Sequence, residues 1–272
     1  MQQALRMLAA DPGTRLIVLI SKPPSEAVSQ QVLTQARECG KPVVVHFLGA
    51  DCAALAAQGV LPATSLQHAA DMAVAILRNE PLPSSTNLDD AALDQVQSTL
   101  GAMAPGQRDI RGIFAGGTFC YEAQLALIAA GLECESNAPV KGASVLQDPT
   151  RGYGHSLVDM GDDEFTQGRP HPMIDPTLRN ARLLQEAADP TTAILLFDVV
   201  LGYGANLDPT GELLATLVHA RQKAGQAGRQ LITIAHVCGT ELDPQPRQQQ
   251  IDRLHDAGVL IAQSNMQAAQ LA

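Results

Sequence analysis

The sequence predicts an α/β protein built from two doubly wound, parallel-sheet units, the first of them incomplete. Three observations carry that expectation. The chain repeats itself: Gly59 to Ala73 and Gly258 to Ala272 align without a gap and share eight identities over fifteen residues. Further upstream His46-Phe47-Leu48-Gly49 matches His236-Val237-Cys238-Gly239, and Asp11-Pro12 matches Asp189-Pro190. The offset grows along the chain from 178 to 190 to 199, so the second copy carries longer loops on the same skeleton. Next, apolar β-branched runs alternate with helical patterns, the signature of strand–helix–strand crossovers. Last, the core has to be aliphatic, because 272 residues contain no Trp, three Tyr and five Phe beside 46% hydrophobic residues. Leu, Val, Ile and Ala suit strands buried on both faces under Ala-rich helices.

The first unit, 1–80, opens with a helical pattern over Gln2 to Ala9. Thr14 to Ile20 then reads as a buried parallel strand. Ser25 is an N-cap candidate for a helix Glu26 to Cys39, which Gly40 stops. Pro42 to Phe47 is a second strand. A short helix, a strand at Gly59-Val60-Leu61 and a helix Leu66 to Arg78 complete the unit. Residues 81–108 form a linker, with Pro/Ser-rich composition over Glu80 to Asn87 and an acidic helix over Leu88 to Leu100. The second unit, 109–272, starts with strand Ile110 to Phe114, a glycine turn and helix Cys120 to Ala130. A poorly patterned stretch, Glu133 to Pro172, holds one candidate strand near Ser156 to Asp159. The repeated part follows as helix Asp175 to Ala188, strand Ala193 to Val199, helix Thr210 to Gln226, strand Gln230 to His236, helix Gln245 to Ala257 and a terminal strand and helix. The first copy starts in mid-unit. Either the chain is part of a longer gene product, or its first unit borrows a sheet neighbour.

Composition removes several function classes. A formal charge of −10 argues against a phosphate-backbone partner, since non-specific nucleic-acid binding needs a basic face. Five cysteines, Cys39, Cys52, Cys120, Cys134 and Cys238, show no metal-ligand spacing, so no metal is expected and a reducing compartment is. No apolar stretch approaches the roughly 20 residues of a membrane span, and no signal peptide opens the chain, so no membrane partner and a cytoplasmic location are expected.

Four constellations are candidates for chemistry. Gly116-Gly117-Thr118 follows an apolar strand and opens an amphipathic helix. Backbone amides and the helix dipole would favour a phosphate or carboxylate there, with the Thr118 hydroxyl as a further donor. The alternative is an ordinary strand-to-helix turn, and the string is neither a P-loop nor a dinucleotide fingerprint. A second turn, Gly202-Tyr203-Gly204-Ala205-Asn206, follows the strand ending near Asp198. Gly202, Gly204 and Asn206 are its ligand candidates. Asp198 is either a functional carboxylate or a loop cap. Gly168-Arg169-Pro170-His171-Pro172-Met173-Ile174-Asp175-Pro176 is a stiff loop displaying Arg169, His171 and Asp175. These are candidates for carboxylate clamping and proton transfer, or simply a surface connection with Asp175 as N-cap. His46 and His236 sit at strand carboxyl ends in both copies, which favours a shared structural hydrogen bond over catalysis. Cys120 beside the glycine turn is either a thiol of lowered pKa or a buried bystander, and Arg151 to His155 has the look of a mobile loop.

These residues resemble a known family. The strand, the Gly116-Gly117-Thr118 turn and Tyr121-Glu122-Ala123 are similar to the phosphate-binding turn of succinyl-CoA synthetase α-subunits. The repeated part, with its Asp-Pro turn and Lys41-Pro42-Val43-Val44, resembles that superfamily's flavodoxin-like CoA-ligase domain. The string Gly168 to Pro176 and the two-unit layout resemble the FdrA family. The resemblance implies an acyl-CoA synthetase, NDP-forming, in which helix N-termini hold a phosphohistidine, with CoA or an acyl phosphate as ligand. This chain departs from the pattern: no glycine-histidine-alanine-glycine loop follows His46 or His236, and it holds neither a CoA-binding Rossmann segment nor an ATP-grasp segment. FdrA resemblance also implies a subunit of an oxamate carbamoyltransferase in allantoin and purine catabolism, using carbamoyl phosphate. A small anionic substrate, and a homo-oligomer or partner subunits, are the partners expected. A non-catalytic scaffold subunit is the contrasting expectation.

Overall fold

Parallel strands organise both units of the chain in a computed structural model, which describes residues 1–84, 90–101 and 103–272. The chain divides into Met1–Asn87 and Leu88–Ala272. In the first unit β1 (Ile17–Ser21), β2 (Val43–Phe47) and β3 (Leu61–Pro62) pair in the order β1-β2-β3, all parallel. Around them run α1 (Gln2–Ala10), α2 (Glu26–Glu38), α3 (Cys52–Ala57) and α4 (Leu66–Arg78). Helix α2 buries Val32, Leu33 and Ala36, and α4 buries His68, Ala69, Met72 and Ala75, one stripe each at helical spacing. Asp51 and Ser65 cap α3 and α4 with their side chains.

The second unit holds α5 (Asp90–Leu100), β4 (Asp109–Phe114), α6 (Gly117–Ala129), β5 (Cys134–Ser136), β6 (Ser144–Val145), β7 (His155–Asp159), α7 (Asp163–Thr166) and α8 (Thr177–Ala188). It continues with β8 (Thr192–Val200), α9 (Gly211–Gln226), β9 (Ile232–Cys238), α10 (Arg247–Asp256), β10 (Leu260–Ala262) and α11 (Asn265–Leu271). Seven parallel strands pair in the order β10-β9-β8-β4-β7-β5-β6. Strand alternation supplies two cores. Ile194 and Leu196 of β8 pack with Val96, Leu127 and Ala268 from α5, α6 and α11, while Phe197 and Val199 pack with Leu183, Leu213 and Leu254 from α8, α9 and α10. Among the described residues no helix is long and apolar enough to cross a membrane.

Elements differ from the sequence reading in several places, the short helix α7 among them. Helix α6 begins at Gly117 rather than Cys120, so the glycine turn is itself the first helical turn. Strands β5 and β6 have no counterpart in the reading, because at three and two residues, with Glu135, Ser136 and Ser144 among them, they show no apolar run; pairing of β5 with β7 and of β6 with β5 holds them. The acidic helix packs with the second unit through Val96, and its expected start at Leu88 lies outside the described residues, as do 85–87 of the Pro/Ser stretch.

The repeat is preserved bond by bond. Asp11 accepts from the Gly13 amide and the Thr14 hydroxyl, and Asp189 accepts from the Thr191 amide and hydroxyl. His46 Nδ1 contacts the Ala63 carbonyl at 2.9 Å and His236 Nδ1 the Ala262 carbonyl at 3.3 Å. Ser65 caps through the His68 amide and Ser264 through the Gln267 amide. The strand-end histidines therefore do the shared structural work expected of them.

At the amino edge of the larger sheet a buried charge cluster replaces apolar packing. Arg111, 1% exposed, lies 3.3 Å from Asp109, 3.0 Å from Glu186 and 3.5 Å from Asp189; the Nε–Glu186 contact is an ion pair without hydrogen-bond alignment. Glu186 also takes Arg182 Nε at 2.5 Å and the Gly152 amide at 2.9 Å, and Arg111 donates to the Gly154 carbonyl. The Arg151 to His155 segment is thus tied down rather than mobile. Removing one carboxylate from two buried guanidiniums leaves charge uncompensated, so Glu186→Gln should cost roughly 3–5 kcal/mol. Asp208→Asn, which breaks an equally short but exposed pair with Arg253 at 2.5 Å, should cost under about 1 kcal/mol. Urea unfolding at unchanged slope measures both.

Candidate functional site

The strand order places a switch point at β4. From β4 the chain crosses by α6 to β5 on one side of the sheet, and later by α8 to β8 on the other. Crevices form at the carboxyl ends of strands where the winding reverses. Here those ends carry Ala115 to Thr118 after β4, Asp159 to Gly161 at β7 and Asp198 in β8.

Gly116 is the N-cap of α6, with φ −147° and ψ 143°, and no side chain caps the helix. That conformation is open to any residue, and neither Gly116 nor Gly117 has positive φ. A side chain added at Gly116 would meet no heavy atom within 4 Å. The glycine is demanded neither by backbone geometry nor by packing, while N-caps usually carry a side-chain acceptor. What it leaves is open space over the first amides of α6, beside the exposed Thr118.

Asp198 lies beneath this turn. Its Oδ1 accepts from the Ala115 amide at 2.7 Å, and among the described residues Oδ2 has no hydrogen-bond partner. The residue is fully buried. Burial pushes its carboxyl up to about 6, and this outweighs Arg179. The guanidinium sits 3.9 Å from Oδ1 while donating to the Asp198 carbonyl at 2.9 Å. Asp159, 5% exposed, adds a second acid nearby, and Asn137 at the end of β5 clamps it by accepting from its amide and donating to its carbonyl. Gly161 marks a close approach. A Cβ there would stand 2.6 Å from His171 Nε2, 2.7 Å from the Ala115 carbonyl and 3.2 Å from Asp159 Oδ1. His171 therefore reaches the crevice, its Nδ1 accepting from the Met173 amide.

The Gly202 to Asn206 turn differs in kind. Gly202 and Gly204 adopt φ of 138° and 83°, so these glycines serve the backbone. Gln245 brackets the turn, accepting from the Gly202 amide and donating to the Gly202 and Asn206 carbonyls. Asn206 donates to the Met173 and Ile174 carbonyls and accepts from the Asp208 amide. At the amino end of α9 the buried Thr210 donates its hydroxyl to Gln250 and caps no helix amide. This turn braces the His171 loop.

The proline-rich loop is divided. His171 faces the crevice, whereas Arg169 and Asp175 line a separate cavity of about 300 Å³ against α8. Asp175 accepts from the Thr177 amide and hydroxyl at 3.0 and 2.6 Å, which holds its carboxyl below the usual range in a turn just ahead of α8, whose N-cap is Pro176. A further cavity, about 450 Å³, lies at the amino edge near Arg108 and Tyr153, away from the crevice. Cys120 is buried, and burial raises its thiol, so it is the bystander and not an activated nucleophile. Among the described residues no group of three or more His, Cys, Asp or Glu side chains is placed to hold a metal. Sequence reasoning named Asp198 but missed Asp159, Asn137 and Arg179; the polar end of an apolar run at Asp159 was the available signal.

Comparisons bear on the same residues. The CoA-ligase family model matches residues 113–272. The uncharacterized protein YahF of Escherichia coli (strain K12) is 41% identical over 276 residues, covering 100% of this chain and 52% of that protein. The chain therefore spans about half the length of the curated relative it matches. Among solved structures, a dinucleotide-forming acetyl-coenzyme A synthetase 1 of Ca. Korarchaeum cryptofilum in complex with phosphate and ADP is similar at a TM-score of 0.41 and 12% identity, over 99% of this chain and 54% of that one. Its apo form is similar at a TM-score of 0.41 and 14% identity, over 100% and 54%.

Asp198 makes a pH prediction. Its carboxyl titrates near 6 in the folded chain against 3.8 unfolded, so the folded state holds the extra proton. The penalty for ionising it is absent below pH 3.8, grows as pH rises to about 6 and is complete above. The difference corresponds to about 3 kcal/mol. Relative to wild type, Asp198→Asn should gain stability by about that amount between pH 4 and pH 7. A constant difference in urea midpoints across this range would contradict the assignment.

Proposed function

Because the chain belongs to the CoA-ligase family, we propose that it is an acyl-CoA synthetase-superfamily protein that handles an acyl phosphate at the amino end of α6. The observation that carries this reading is Gly116, a glycine required by neither conformation nor packing, set over uncapped helix amides and the unpartnered Asp198 Oδ2. Amides of the first helical turn and the Thr118 hydroxyl would donate to phosphoryl oxygens. A nucleophile attacking the acyl carbon breaks its bond to the phosphate oxygen, and the departing phosphate keeps the electron pair at the positive end of the helix.

Magnitudes decide how an anion fits over a carboxylate. The helix terminus contributes ~0.3–1 kcal/mol, while two like charges ~6 Å apart repel by roughly 3 kcal/mol at an effective dielectric of ~20. Repulsion wins unless Asp198 takes a proton. Its elevated carboxyl makes that inexpensive near neutrality. Anion binding is therefore coupled to proton uptake at Asp198, with His171 at the rim as the group that relays protons to solvent.

The chain carries no phosphohistidine of its own on this reading. The histidine at the end of β9 contacts the Ala262 carbonyl, and the loop after it is closed by Thr240 and Asp243. An acyl phosphate arriving preformed suits such a site, and carbamoyl phosphate is a small one. A carbamoyltransferase subunit working with partner subunits is thus the variant of this reading that the FdrA resemblance supports.

Calorimetric titration tests it with phosphate, sulfate, acetyl phosphate, carbamoyl phosphate and CoA. Gly116→Val should weaken phosphate at least about tenfold while leaving the fold intact, and Thr118→Val should weaken it about fivefold, one hydrogen bond to a charged group. Sulfate, whose charge is constant, should bind up to about tenfold more weakly per pH unit above 6, and Asp198→Asn should flatten that slope. No binding of any ligand, or wild-type binding by Gly116→Val, would leave only the scaffold reading.

A further inference from the structure

The first unit leaves one edge of its sheet and one face beside it open. Among the described residues β1 pairs with β2 alone. Ile17 donates its amide to the Pro42 carbonyl and the Ser21 carbonyl accepts from Leu48, so Ile17, Leu19 and Ser21 turn their backbone groups toward β2. The amides and carbonyls of Val18 and Ile20 therefore face the free edge. Their side chains are 38% and 45% exposed, whereas Ile17 and Leu19 are buried with Val32 and Leu33 of α2. Along α4, Ala70, Val74 and Leu77 form an exposed stripe at helical spacing. An unpaired strand edge beside apolar side chains is a template for another strand.

The internal repeat shows what fits there. Val18 lies opposite Val44 as Leu196 lies opposite Ile234, so Val18 and Leu196 are equivalent positions. On its other side Leu196 pairs with Gly112 of β4, and it is fully buried in the core that holds Cys120, Ala123 and Leu127 of α6. Ala70 and Ala269 are the same residue at the same place in the repeat, yet Ala70 is exposed while Ala269 is buried in that core. Asn265 ties the helix of Ala269 to α6, donating to the Phe119 carbonyl and to Glu122. The positions left open in the first unit are thus those that a parallel strand and the helix after it close in the second. Leu66 stands where the second copy has Asn265, and Ile20 where it has Asp198. What covers the first unit meets hydrocarbon at both places.

We propose that the β1 edge, with Val18, Ile20 and the exposed stripe of α4, is the docking surface for a partner polypeptide. The partner adds to β1 a parallel strand of branched apolar residues and lays the helix that follows it on α4. A second copy of the chain is a poorer fit, because a two-fold axis at the β1 edge would run the paired strands antiparallel, unlike β4 and β8. The proposal does not depend on the phosphate reading of the Gly116 turn.

Co-expression with the part of Escherichia coli YahF that lies outside the stretch matching this chain tests the assignment. A one-to-one complex should form by size-exclusion chromatography with light scattering. Hydrogen exchange at the Val18 and Ile20 amides should slow at least about tenfold in that complex. Ile20→Asp should abolish the complex, while circular dichroism shows the variant folded, as expected at an exposed position. Leu242→Asp, at an exposed apolar position of the second unit, should leave the complex intact. Gly116→Val should form the complex like wild type even where it no longer binds phosphate, which separates the two readings. No complex, a complex that survives Ile20→Asp, or Val18 and Ile20 amides already protected by self-association of the chain alone would each overturn the proposal.

Discussion

The hydrogen bond from the Ala115 amide to Asp198 fixes the geometry on which the candidate site rests. It joins the turn after β4 to the end of β8, the two strands between which the winding of the sheet reverses. The bond orients the turn so that the next amides open α6 toward the crevice. It also holds a carboxyl group in full burial with one oxygen unpartnered, a state that costs about 3 kcal/mol once ionised, by the displacement of its titration from 3.8 to about 6. Arg179 offsets too little to cancel that cost, because at 3.9 Å its closest approach is beyond hydrogen-bond length and it is itself desolvated. A buried carboxyl raised in this way at a strand end is a candidate for function.

Glycine does two different jobs around the crevice. Gly202 and Gly204 are there because the chain must pass through the left-handed region, and Gln245 then locks the turn. Gly116 is there for the sake of space. The same residue type stands in both turns, serving the backbone at Gly202 and Gly204 and leaving space over α6 at Gly116. The brace matters, since Asn206 holds the Met173 and Ile174 carbonyls and so fixes the loop that brings His171 against Gly161.

Much of the fold was legible because the signals were periodic. Aliphatic runs such as Ala193 to Val199 announce a buried strand, and the internal repeat predicted equivalent histidine, serine and aspartate bonds. Short strands β5 and β6 were illegible, since their conformation comes from pairing, β5 with β7 and β6 with β5, and not from their own residues. The site was only half legible for a related reason. Gly116 to Thr118 and His171 stand out in local sequence. Asp159, Asn137 and Arg179 are 19 to 22 residues from their contacts, as the Asn137–Asp159 and Arg179–Asp198 bonds show, and only the fold brings them together. Arg169 and Asp175 looked like partners of His171 in the sequence, but they line the cavity against α8 with Pro170 and Pro172 while His171 lies beside Gly161.

Divergence between the two copies shows where the polar machinery was kept. Ile20 in β1 pairs with His46 as Asp198 in β8 pairs with His236. One copy thus has an aliphatic side chain, 45% exposed on a sheet-edge strand, where the other has a buried acid. The turn after Ile20 is Ser21-Lys22-Pro23-Pro24, which lacks both glycine and a flanking strand with a helix N-terminus beside it. Structural bonds such as His46 to Ala63 survive in the first copy, so its skeleton is intact. An ionisable group at this position is worth its burial cost only beside a second charged or polar partner, and β4 with its open turn supplies that neighbour in the second copy alone.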